Sequence, residues 1–120
     1  LRDFNVLSKA VLFEDFVRYM KRRRIQVILL MIPFHPKVYE KMKVHYPMVA
    51  KTEDYVRQFG LRENIEVVGS FDPAPYGLTT KDFFDGTHPH DWVLRDIFTT
   101  RSEPRRLSAL REPVLSVKQR

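Results

Sequence analysis

The sequence predicts an α/β fold built on a parallel sheet. Three observations carry this expectation. Segments with helical periodicity alternate with segments that read as strands. The strand segments are nearly continuous apolar runs, as in strands covered on both faces. Proline, glycine or a charged turn stands at the segment ends. Taken in order, Ser8–Arg24 reads as an amphipathic helix, with Ser8 as N-cap. Ala10, Phe13, Val17 and Met20 recur on one face with Phe16 beside them, and the run Lys21-Arg22-Arg23-Arg24 falls in the last turn, where positive charge suits the helix dipole. Ile25–Ile32 is the first strand, closed by Pro33, which has no N–H for the ladder. Phe34-His35-Pro36 is then a loop at its carboxyl end. Pro36 and Pro47 suit first helical turns, predicting helices over Lys37–Val44 and Met48–Phe59. In the second of these Val49, Thr52, Val56 and Phe59 share a face, and Gly60 is the expected C′ residue. Ile65–Gly69 is the second strand. A loop follows from Ser70 to Thr87, then a helix over Asp91–Thr100 with Trp92, Val93, Ile97 and Phe98 inward.

This alternation implies an α/β sandwich. Two strands alone make a marginal sheet, because both edges stay open. The absence of an initiator Met and the short sheet together predict that the chain is part of something longer on its N-terminal side. The expected division is an α/β unit over residues 1–100 and a basic tail over 101–120, extended or with a short helix near Pro104–Arg111.

With 120 residues the chain is one domain, and its 43% hydrophobic and 30% charged residues are those of an ordinary globular protein. The longest apolar run, Ile25–Phe34, is interrupted by Gln26 and Pro33 and falls short of the ~18 residues of a membrane span. No leader of secretory type opens the chain. Cysteine is absent, which excludes disulfides and cysteine metal sites. The net charge is +6, of which the last twenty residues carry +4: Arg101, Arg105, Arg106, Arg111, Lys118 and Arg120 against Glu103 and Glu112. The remaining basic run sits at a helix end, so no nucleic-acid partner is expected.

The densest polar stretch is Asp82-Phe83-Phe84-Asp85-Gly86-Thr87-His88-Pro89-His90-Asp91. It follows the second strand, where sites of open α/β sheets collect. Asp85 stands three residues before His88 across a Gly-Thr turn. A carboxylate so placed accepts the Nδ1 proton of the ring, fixes its tautomer and leaves Nε2 to work as a base. The plainer alternative is that Asp85 caps a turn and His88 merely opens a helix. A metal reading uses Asp85, His88, His90 and Asp91 as nitrogen and oxygen ligands, but their spacing fits no complete zinc set, and no metal or cofactor is predicted. His35 is placed near the same cleft or in solvent.

The block Asp85-Gly86-Thr87-His88-Pro89, after Phe83-Phe84 and before a terminal helix, resembles the C-terminal end of the SGNH (GDSL-type) hydrolase family. The proline-ended strand Ile25–Pro33 and the second strand running into Phe71-Asp72 agree with it. The resemblance spans about residues 10–100, and its specific part is residues 83–89. It implies a three-layer α/β/α sandwich, of which this chain is the C-terminal portion. It implies ester hydrolysis or acyl transfer by a Ser-His-Asp triad, with Asp85 and His88 as catalytic residues, on an O-acylated carbohydrate or similar envelope substrate. The sequence departs from the family in having no Gly-Asp-Ser nucleophile motif and no oxyanion-hole Gly and Asn. Ser70 follows a glycine at a strand end but precedes no helix, and Asn5 and Asn64 have the wrong surroundings. The implied partners are the upstream part of the chain itself, the acyl substrate, and a second copy through an open sheet edge. The alternative function is a non-catalytic α/β interaction module whose basic tail binds an acidic partner.

Overall fold

Ile28–Met31 (β1) and Glu66–Gly69 (β2) pair in parallel, with Ile28 opposite Glu66 and Met31 opposite Gly69. The computed structural model describes residues 2–100, with side-chain surroundings from Lys9 onward. The expectations for the tail over 101–120 lie outside the described residues. Among the described residues four α-helices accompany the strands: α1 (Arg2–Arg22), α2 (Pro36–His45), α3 (Met48–Glu63) and α4 (Asp91–Thr100). The predicted α/β character and the parallel pairing are therefore present.

Successive strand residues point to opposite faces, and both faces are packed. Ile28 and Leu30 join Val68, Tyr76, Leu78, Phe83, Val93 and Ile97 in one apolar cluster. Val27 and Leu29 join the other, formed by Val17 of α1, Phe59 of α3 and Ile65, with Phe13 against them. This two-sided burial is why the runs carry no polar alternation. Each strand has only one neighbour among the described residues, so each keeps an open edge. No helix among them is long and apolar enough to cross a membrane.

Several local details differ from the sequence reading. Helix α1 begins at Arg2, so Ser8 lies inside it and is no N-cap. Residues 2–7 contain no Gly or Pro to stop the helix. Ala10, Phe13, Val17 and Met20 do face inward, but Phe16 is exposed. With Leu12 and Tyr19 it forms a second apolar stripe at i, i+4 and i+7, open to solvent. In α3, Val49, Val56 and Phe59 face inward, whereas Thr52 is exposed. Tyr55 takes the expected place of Thr52, stacking on Phe59 with ring centroids 6.3 Å apart and donating its hydroxyl to Glu14.

The carboxyl ends of α1 and α3 also differ from the sequence reading, whereas α4 spans Asp91–Thr100 as expected. Helix α3 runs past Gly60 to Glu63, and Asn64 closes it in the left-handed region at φ 55°. The Ile65 N–H then donates to the Gly60 carbonyl, a six-to-one closure. Gly60 is instead a packing glycine: a Cβ there would lie 2.4 Å from Val67 Cγ2. Helix α1 ends in the same way, with Arg24 at φ 62° and the Ile25 N–H on the Met20 carbonyl. That turn consumes Ile25 and shortens the first strand. The Lys21 ammonium does sit against a helix end, on the carbonyl of Glu63 in α3.

Candidate active site

The segment between β2 and α4 is built as a neck with a polar tip. Phe83 and Pro89 form an antiparallel bridge, the Phe84 N–H donates to the His88 carbonyl at 2.8 Å, and the His90 N–H donates to the Asp82 carbonyl at 2.8 Å. Only Asp85, Gly86 and Thr87 remain to turn the chain. Asp82 anchors the neck from below. Its buried carboxylate accepts from the Thr79 N–H at 2.9 Å and from Trp92 Nε1 at 3.0 Å, tying the preceding turn to α4. The pattern Thr79-x-x-Asp82 is that of a capping box, and this signal was readable in the sequence.

At the tip, both Asp85 carboxylate oxygens lie 2.8 Å from His88 Nδ1, within the ~3.2 Å that a hydrogen bond requires. Oδ1 also accepts from the backbone N–H groups of Thr87 and His88, each at 2.9 Å. An ionised carboxylate only accepts, so the Nδ1 proton points at Asp85, an arrangement that leaves Nε2 with the lone pair in the neutral ring. The Thr87 hydroxyl lies 3.2 Å from Nδ1 as well. The hydrogen bonds of the His88 ring thus converge on Nδ1. The pair is open to solvent, with 73% of the His88 side chain and 58% of the Asp85 side chain exposed. Ion pairs so exposed contribute little to stability, and the two backbone bonds to Oδ1 make Asp85 the cap of its own turn, as the plainer alternative has it.

The backbone amide of Thr87, then the bond from His88, holds the Asp85 carboxyl below its ordinary value. Because the folded-state value is depressed, the stabilisation linked to Asp85 is present above the ordinary carboxylate range. It is lost as pH falls through the lowered folded value. Carboxyl-detected NMR should therefore find Asp85 titrating below a model aspartyl peptide. His88→Ala should leave part of that depression, since the Thr87 amide is its first cause. Titration of Asp85 at or above the ordinary value would contradict this geometry.

The loop after β1 braces the tip. The His35 N–H donates to the Gly86 carbonyl at 3.1 Å, and a Cβ on Gly86 would lie 2.9 Å from Val38 Cγ2. Gly86 is thus required by close approach to α2. His35 itself caps α2, its Nδ1 accepting from the Lys37 N–H, and its ring lies 5.6 Å from that of Phe83. It is a bracing residue beside the tip.

The remaining candidates are placed elsewhere. The His90 ring lies against Phe84 on one side, with centroids 3.8 Å apart, and stacks on Trp92 at 4.2 Å. Asp91 pairs with Arg95 along α4. Among the described residues no three His, Asp or Glu side chains come together as a metal site. Ser70 is buried, and its hydroxyl donates to Glu53 at 2.9–3.0 Å while accepting from the Asp72 N–H. Its partner is therefore Glu53 and not His88. Asn64 stands at the opposite end of β2, as the α3 cap. Comparison of the chain with protein-family models, with curated proteins and with solved structures finds no match.

Proposed function

We propose that this chain is the C-terminal part of a serine ester hydrolase or O-acyltransferase of SGNH type, contributing the acid–base half of its triad. The observation that carries the reading is the Asp85–His88 bond, made through Nδ1 at 2.8 Å on an exposed loop that follows β2. In the proposed reaction a serine from upstream sequence attacks the acyl carbon while His88 Nε2 takes its hydroxyl proton. His88 returns that proton to the departing alkoxide as the acyl–oxygen bond breaks. Water or an acceptor hydroxyl then attacks the acyl-enzyme by the same relay. Asp85 holds the tautomer and balances the imidazolium charge throughout. The substrate is an O-acylated carbohydrate or similar molecule.

The proposal includes a complete three-layer sandwich. The open edges of β1 and β2 and the bare stripe Leu12, Phe16 and Tyr19 on α1 are surfaces that further strands and a helix from the upstream segment would cover. A second copy of this chain is the competing cover for an edge.

The test is turnover of p-nitrophenyl acetate. The 120-residue chain should give no more than trace activity, since a missing nucleophile removes the acyl-enzyme route and loss of a single oxyanion donor alone costs ~10²–10³ in rate. Protein extended by the upstream segment should turn over. Robust turnover by the short chain, lost on Ser70→Ala, would overturn the reading.

A further inference from the structure

A second polar site lies where the chain leaves β2. A cavity of about 340 Å³ opens between α2, α3 and the segment after β2. Its polar groups fall into two sets. The first is fully engaged. Glu53 accepts from Ser70, from the Phe71 N–H at 2.9 Å, and from Arg57 through Nε and Nη2. Arg57 also donates to the Gly69 carbonyl at 2.8 Å. The Glu53 charge is thereby balanced, and Nε and Nη2 of Arg57 are committed to protein acceptors.

The second set is not engaged. Tyr39 and Tyr76 line the cavity and are only 8% and 2% exposed, yet neither hydroxyl has a hydrogen-bond partner among the described residues. Buried tyrosine hydroxyls ordinarily have one, because burying the group unpaired is costly. Burial raises both phenols. The next influence on Tyr39 is the charge of Asp72, and the next on Tyr76 is the charge of Arg57. Both are lining residues of the cavity. Asp72 offers the third free acceptor. Its Oδ1 caps the Ala74 N–H at 2.9 Å, and Oδ2 has no hydrogen-bond partner among the described residues. With Glu53 and Arg57 balanced, Asp72 and Asp54 leave the lining net negative.

We propose that this cavity binds the primary ammonium group of a small molecule, with Tyr39, Tyr76 and Asp72 as acceptors for its three N–H donors. An anion would meet the uncompensated carboxylates of Asp54 and Asp72. A neutral polyol would leave the negative charge unanswered. The site is independent of the hydrolase reading and uses none of its residues.

The test is an NMR titration of the 120-residue chain with millimolar ethanolamine, ethylene glycol and choline. Ethanolamine should shift the resonances of Tyr39, Asp72 and Tyr76 saturably. Ethylene glycol, lacking the charge, and choline, lacking the N–H donors, should each bind about tenfold more weakly or worse. Asp72→Asn should weaken ethanolamine binding by about tenfold, and Tyr76→Phe by about threefold. Three outcomes would each overturn the proposal: no saturable shift, glycol or choline binding as well as ethanolamine, or full affinity in a folded Asp72→Asn protein. The three-ligand comparison needs no variant, so it decides even if a substitution fails to fold.

Discussion

Replacing His88 by alanine in protein that carries the upstream segment is expected to lower kcat/KM by about 10²–10⁴-fold, the range set by a positioned general base. The loss should fall on kcat with little change in KM, since in the proposed reaction His88 acts when charge moves and not when the ester binds. Asp85→Asn should produce a large loss by another route. An amide offers an N–H and an oxygen where the carboxylate offered only acceptors, so the hold on the Nδ1 tautomer fails. Neither change should unfold the protein, because both side chains are more than half exposed and pack against little. Stopped-assay kinetics beside circular dichroism would check this. Folded variants retaining activity within about threefold of the parent would contradict the assigned roles.

Gly69→Ala is expected to destabilise the fold by about 3 kcal/mol or more. Gly69 ends β2 at φ 87°, and a Cβ there would lie 2.3 Å from the Met31 carbonyl oxygen, which is backbone and cannot swing away. The left-handed conformation alone costs a non-glycine residue about 1–2 kcal/mol, and forced overpacking adds about 1–3. The clash would pry the carboxyl ends of the two strands apart, at the start of the segment that leads to Asp82 and the tip. A urea midpoint lowered at unchanged slope would bear this out. A midpoint equal to that of the parent would mean that the strand ends are not packed as described.

Much of this arrangement could be read from residue order, and the exceptions have physical causes. Ile25–Ile32 and Ile65–Gly69 were legible as paired buried strands because β-branched runs without polar alternation suit few other environments. The inward faces of α1 and α4 followed from periodicity. The boundaries did not, because they depend on positive φ adopted by Arg24 and Asn64, where a glycine is the usual signal. Gly60 gave that signal falsely: its lack of a side chain serves the approach of Val67, a tertiary fact. At the site, the three-residue spacing of Asp85 and His88 sufficed to anticipate their bond. The supports were missed. The bond from Trp92 to Asp82 and the His35 brace on Gly86 join segments whose proximity only the fold creates. Likewise no motif in the sequence marks Tyr39 or Tyr76, and only the fold brings them to one cavity with hydroxyls unpartnered among the described residues.

The central claim is that Asp85 and His88 activate a serine lying upstream of this chain. The most direct measurement is labelling of the extended protein with a fluorophosphonate, followed by mass spectrometry to locate the modified residue. The expected result is stoichiometric modification of one serine in a Gly-Asp-Ser setting upstream of Leu1, slowed by about 10²-fold or more in His88→Ala protein. Absence of labelling, or labelling whose rate is the same with and without the His88 imidazole, would contradict it.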